Sequence, residues 1–144
     1  MCRIFNEHVA EGFAAYPETP VSEEAIRFLL SQTLESLAVA AETADGSLLG
    51  FGFLRPYQPV ETFAHTTQIT IFLDAQCTRA GIGPEILRYL ELRARRRSIT
   101  KVLAYVSSRN APSLAFHAKH GFVECGRLPR IGRKWGGRSS TSSG

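Results

Sequence analysis

Apolar residues change their spacing several times along this chain, and each change marks an element. Arg3 to Ala15 predicts a short helical stretch, broken by Tyr16–Pro20, "YPETP". Each proline there lacks an amide donor and biases the residue before it toward extended conformations. Ile26, Leu29, Leu30, Thr33 and Leu34 then recur at three-to-four spacing, the period of an amphipathic helix. Ser22 can cap that helix, and Glu23 and Glu24 suit its positive first turn. Ser36–Thr43 predicts a strand, Asp45–Gly46 a hairpin turn, and Ser47–Tyr57 the returning strand. Gly50 and Gly52 inside that second strand imply a close approach or a bulge. Thr66–Asp74 is a β-branched and aromatic strand. Gly83–Arg96 is a helix with Ile82, Ile86, Leu87, Leu90 and Ala94 on one face and Glu85, Arg88, Arg95 and Arg96 left to water. "KVLAYVSS" (Lys101–Ser108) predicts a central strand, Ala111–Phe122 a helix closed by Gly121, and "FVECGRL" (Phe122–Leu128) a final strand.

This β-β-β-α-β-α-β order, with two helices ahead of it, is an α/β layered domain. One domain is expected over 1–136, followed by a disordered tail over 137–144, where serine, threonine and glycine dominate.

Composition narrows the class without deciding the chemistry. With 144 residues, 44% hydrophobic and 21% charged, the chain is an ordinary globular one, and no apolar run approaches the roughly 20 residues of a membrane span. Its beginning lacks the layout of a signal peptide, and Cys2, Cys77 and Cys125 are too far apart for a metal knuckle. A reduced, cytoplasmic protein without a metal is the simplest expectation. Lys and Arg exceed Asp and Glu by 17 to 13, giving a formal charge of +4. That excess, concentrated in the second half, suits plain solvated surface, a small polyanion or nucleic acid, but no known nucleic-acid motif accompanies it.

The candidate chemistry starts at Cys77–Leu87, "CTRAGIGPEIL", where a strand passes through two glycines into a helix. Amides at a helix N-terminus are unpaired and carry partial positive charge, so glycines there let a phosphate approach them. The stretch is neither a P-loop nor a dinucleotide fingerprint, since Gly-Lys-Ser/Thr and the third glycine are missing. By spacing alone, a structural turn explains it equally well.

Two motifs together carry a resemblance. Thr78-Arg79-Ala80-Gly81-Ile82-Gly83 fits the glycine spacing of Q/R-x-x-G-x-G/A, and Asn110, Ser113, His117, Gly121 and Phe122 complete N-x-x-S-x-x-x-H-x-x-x-G-F. The chain thereby resembles the GNAT superfamily of N-acetyltransferases, and from about Ile4 to Gly136 its phosphinothricin/methionine-sulfoximine acetyltransferase branch. The resemblance implies a mixed, mostly antiparallel sheet, flanked by helices and splayed between its fourth and fifth strands, with acetyl-CoA as co-substrate in the gap. It implies that the pantetheine arm pairs with Ile71, Phe72 and Leu73. The pyrophosphate would rest on the amides from Arg79 through Ala80, Gly81 and Ile82 to Gly83, with the Thr78 hydroxyl beside them. Asn110 would contact the cofactor's arm, with Ser113 one turn along. Leu73 would offer its N–H to the oxyanion, and His117 would pass a proton to the leaving thiolate unless it merely packs beside Phe116. The acceptor would be the amine of a small amino-acid-like molecule, lined by Glu61, Thr62, Phe63 and His65, with Arg55 or Arg133 for a carboxylate. All of these also fit a solvated loop. A homodimer is a further expectation.

The chain departs from the family pattern at four places. Gln68 stands where relatives often carry a Glu that serves as candidate base, and Gln takes no proton at neutral pH. Thr78 replaces the usual Arg or Gln. The family's first strand, before "IFN", and its last strand, after "RKWG", are both missing from the pattern. An acetyl-CoA-dependent N-acetyltransferase is the leading expectation, and a catalytically impaired acyl-CoA-binding or interaction protein of the same fold is its alternative.

Overall fold

The computed structural model describes residues 1–33, 37–77, 80–134 and 138–143. Leu34, the start of the first expected strand, and Thr78 and Arg79 lie outside the described residues. The fold is α/β, with a mixed sheet flanked by helices. The chain divides into two compact units. The first holds Met1–Ile4 and Ser22–Leu103, and the second holds Phe5–Val21 and Ala104–Gly144.

In the first unit, α2 (Glu23–Ser31) starts as its sequence requires, with the Ser22 hydroxyl accepting from the Ala25 amide at 3.2 Å. Four strands follow in spatial order: β1 (Ala38–Glu42), β2 (Leu48–Pro56), β3 (Thr66–Leu73) and β4 (Lys101–Leu103). β1, β2 and β3 pair antiparallel, and β4 joins β3 in parallel. Both readings of the strand glycines hold. The register slips by one residue at Leu49, a bulge next to Gly50. A Cβ on Gly52 would lie 2.6 Å from Ile86 Cγ2, so only a bare backbone lets α3 (Ile82–Arg96) sit this close to β2. Ile86, Leu87, Leu90 and Ala94 of α3 are buried, as their spacing predicts. The other face of β2 carries Phe51 and Phe53, and Phe51 meets Phe72 of β3 at 5.6 Å between ring centres.

In the second unit, β5 (Val106–Ser107), β7 (Arg138–Ser143) and β6 (Arg127–Lys134) form an antiparallel sheet with β7 in the middle. α1 (Cys2–Glu11) and α4 (Ala111–Lys119) are the long helical segments here, although the first three residues of α1 count with the first unit. α1 ends four residues earlier than Ala15.

Three expectations need correction. "KVLAYVSS" is two short strands, β4 and β5, in different sheets, because the chain changes partner at Ala104–Tyr105. The strand expected at Phe122–Leu128 is β6, which begins at Arg127. The tail expected to be disordered, and unable to pair, supplies β7, whose backbone pairs with Leu128, Gly132 and Arg133 on one side and with Val106 and Ser107 on the other. A strand therefore does follow "RKWG". Polarity predicted the disorder, but a ladder needs only backbone donors and acceptors.

Candidate functional site

The strand-to-helix passage in the first unit is pinned before it reaches the glycines. Asp74, buried at the end of β3, donates its amide to Leu49 O at 2.8 Å. Its carboxylate accepts from the Gln76 amide at 2.9 Å and from Arg3 Nη2 at 2.6 Å. A short 3₁₀ turn, Ala75–Cys77, follows, and the Ala80 amide reaches back to Cys77 O at 3.3 Å. Gly81 then stands at the N-cap of α3 with φ 81° and ψ 0°, the left-handed region. A side chain there would be strained, by about 1–2 kcal/mol for a simple L-residue, although among the described residues nothing lies within 4 Å of where its Cβ would be. The described residues therefore leave the space outside Gly81 open. α3 has no side-chain cap, and its first intrahelical bond runs from Glu85 N to Gly81 O at 3.3 Å. Donors at the head of this helix face the partial positive pole of the macrodipole, an arrangement that suits an anion. Ala80, Gly81, Ile82 and Gly83 stand in succession at this helix start.

Ile71, Phe72 and Leu73 lie on β3 opposite Gly52, Phe51 and Gly50 of β2. On its other edge β3 pairs with β4 only from Thr66 to Gln68, so the parallel ladder stops before these three residues. Gln68, half-buried, stands directly across from Arg55 on β2. The connection between β2 and β3 is closed by Tyr57 N donating to Thr66 O at 3.2 Å and holds a 3₁₀ turn, Glu61–Phe63. Glu61, Thr62, Phe63 and His65 are all exposed on it. Phe63 packs edge-on against Tyr57 at 5.5 Å, and His65 O accepts from the amides of Thr100 and Lys101, holding the start of β4.

In the second unit, Asn110 caps α4, its Oδ1 accepting from Ser113 N at 3.2 Å. That leaves its side-chain Nδ2 for another acceptor. One turn on, His117 Nδ1 lies 2.7 Å from Ser113 O and 3.3 Å from Ser113 Oγ. A carbonyl only accepts, so Nδ1 carries the proton and Nε2 keeps its lone pair in the neutral ring. Burial pushes the His117 pKa below the usual 6.5, the Ser113 carbonyl acts the other way, and nearby His120 adds to the lowering. A neutral His117 is thus set to accept a proton before it can give one. Phe116 and Phe122 meet its ring edge-on at 5.2 and 4.9 Å, so the imidazole also packs.

Two anchors were not read from the sequence. The Arg3–Asp74 pair joins residues 71 positions apart. Asp74 two residues ahead of Gln76 is an Asx-turn signal that was there to be read, whereas its partner left none. Lys134, 4% exposed, places Nζ 2.8–2.9 Å from the carbonyls of Val9, Gly12 and Ala15, just past the end of α1. An ammonium on these carbonyls complements a helix C-terminus. Among the described residues no cluster of three or more histidine, cysteine or acidic side chains could hold a metal, and no helix is long and apolar enough to cross a membrane.

Residues 1–122 match the Acetyltransferase (GNAT) family. The chain is 29% identical over 136 residues to the L-methionine sulfoximine/L-methionine sulfone acetyltransferase of Pseudomonas aeruginosa, covering 92% of this chain and 78% of that protein. It is likewise 29% identical over 135 residues to the phosphinothricin N-acetyltransferase of Alcaligenes faecalis, covering 92% of this chain and 68% of that one. Among solved structures, a ribosomal-protein-alanine N-acetyltransferase from Brucella melitensis matches with a TM-score of 0.88 at 29% identity, over 99% of this chain and 88% of the other. A phosphinothricin acetyltransferase from Sinorhizobium meliloti, solved in complex with acetyl-CoA, shares the fold with a TM-score of 0.89 at 24% identity, over 99% and 77% of the two chains. On the match of residues 1–122, the chain belongs to the GNAT acetyltransferase family, and it is similar there to the phosphinothricin and methionine-sulfoximine acetyltransferases.

Proposed function

We propose that the protein transfers the acetyl group of acetyl-CoA to the amine of a small amino-acid-like acceptor. The observation that carries this reading is the head of α3, a helix start with no side-chain cap behind a left-handed glycine, with nothing among the described residues within 4 Å of where a Cβ on that glycine would be. The diphosphate would rest on the amides from Ala80 to Gly83. The pantetheine arm would run along Ile71, Phe72 and Leu73, where β3 has parted from β4. Acetyl-CoA supplies a thioester that an unprotonated amine can attack. His117 would exchange the proton through Nε2, and Asn110 Nδ2 would be free to hold the cofactor's arm. Glu61, on the exposed turn before β3, would hold the acceptor's ammonium group, beside Thr62, Phe63 and His65.

Gln68 favours a second reading, in which the protein binds acyl-CoA without transferring the acyl group, because an amide cannot serve as base. The two readings separate on thiol release from acetyl-CoA with a panel of amino acids. Release that depends on one of these amines supports transfer. Binding of acetyl-CoA without release supports the second reading.

A further inference from the structure

We propose that Arg55 is the receptor for a carboxylate on the acceptor, and that Gln68 keeps it available. This rests on the transfer reading above and specifies which amines fit it. Arg55 and Gln68 are direct cross-strand partners on β2 and β3, so their side chains leave the same face of the sheet, with Cβ atoms about 4.5–5.5 Å apart. The alternation along β2 places Gly52 and Leu54 on the opposite face, the one against α3, and puts Arg55 on the face of Phe51 and Phe53.

Arg55 Nε is buried and has no hydrogen-bond partner among the described residues. None of the ion pairs found among them involves Arg55. A guanidinium keeps its charge at any physiological pH and presents a planar fork that fits a carboxylate. Buried donors in folded proteins are nearly always satisfied, so the unmatched Nε of this half-buried arginine marks a guanidinium that the described residues leave unengaged at that atom. A glutamate at 68 would lie across from Arg55 and neutralise it, whereas the neutral amide of Gln68 leaves the positive charge uncompensated. Arg133, the other arginine considered for this role, is exposed on β6.

The test uses L-methionine sulfone and its carboxamide as acceptors at saturating acetyl-CoA, with thiol release as readout. Wild type should prefer the acid by KM. Arg55→Gln should raise the KM of the acid about 10- to 100-fold, the range lost with charge-assisted hydrogen bonds, and leave its kcat and the amide's KM within twofold. Gln68→Glu should raise the acid's KM in the same direction by taking up the guanidinium. The amide reports on folding in every variant. Equal KM values for acid and amide in wild type, or an unchanged KM for the acid in Arg55→Gln, would overturn the assignment. If wild type releases no thiol with either acceptor, the transfer reading fails separately. Calorimetry of the acid on the coenzyme A complex then decides Arg55: binding lost in Arg55→Gln supports it, and equal or absent binding in both proteins rejects it.

Discussion

α3 and α4 face the same physical problem at their first turn and solve it differently. At α4 the side chain of Asn110 accepts from Ser113 N at 3.2 Å, and at α2 Ser22 does the same for Ala25 N. Both helices consume a donor internally, as most helix starts do. At α3 the N-cap is Gly81, which has no side chain to offer and sits at φ 81°. A self-sufficient helix would have placed Ser, Thr, Asp or Asn there. The contrast separates a helix start whose cap takes up an amide from one whose N-cap has no side chain to do so, and a start of the second kind suits the anion proposed above.

The strongest way to break this comparison is at Gly81. Gly81→Val puts a branched side chain on a left-handed backbone and in front of the amides. Loss of two charge-assisted bonds to a diphosphate would raise the Kd for acetyl-CoA about 1,000-fold or more. Titration calorimetry reads it, and undiminished affinity in folded variant would make the turn a plain turn.

A smaller effect is expected on the other helix. His117→Ala should lower kcat about 100-fold, within the range for a lost proton-transfer group, with little change in the Kd for acetyl-CoA. The pH dependence sharpens this. Burial lowers the His117 pKa, so the acid limb of kcat/KM should fall below pH 6.5 in wild type and vanish in the variant. The same shift means that the unfolded chain binds more protons than the native one between the lowered value and 6.5. Stability from this group therefore falls as pH drops through that window, and a set of chemical denaturation curves would show it. Unchanged turnover in His117→Ala would leave the ring a packing group between Phe116 and Phe122.

The smallest effect belongs to the cap. Asn110→Ala should cost about 1 kcal/mol of stability, and Asn110→Asp almost none, because an aspartate caps as well. If Nδ2 also holds the cofactor's arm, Asn110→Asp should still weaken acetyl-CoA binding. Equal affinity in both variants and wild type would confine Asn110 to its cap.

What was legible in the sequence was local. Ser22 before Glu23 and Glu24, the Ile86–Leu90 face of α3 and the Gly81–Gly83 turn each act on neighbours within a few residues, so their spacing states the structure. Pairing between distant segments left no such trace. The serine-rich Arg138–Ser143 joins a sheet through its backbone, and nothing in "RSSTSS" shows that Val106 and Leu128 have registers to offer. "KVLAYVSS" hides its break for the same reason, since its apolar content fits either partner. The anchors are the extreme case. Lys134 looks like a solvated lysine until the carbonyls of Val9, Gly12 and Ala15 are found around it. The unsatisfied Nε of Arg55 is visible only when β2 and β3 are paired.

The most direct test of the account is a calorimetric titration of the folded wild-type chain with acetyl-CoA, run beside Gly81→Val. One-to-one binding by wild type that is lost in the variant is the predicted result. No binding by folded wild type, or equal binding by both proteins, would contradict the claim that the head of α3 is kept uncapped for the cofactor's phosphates.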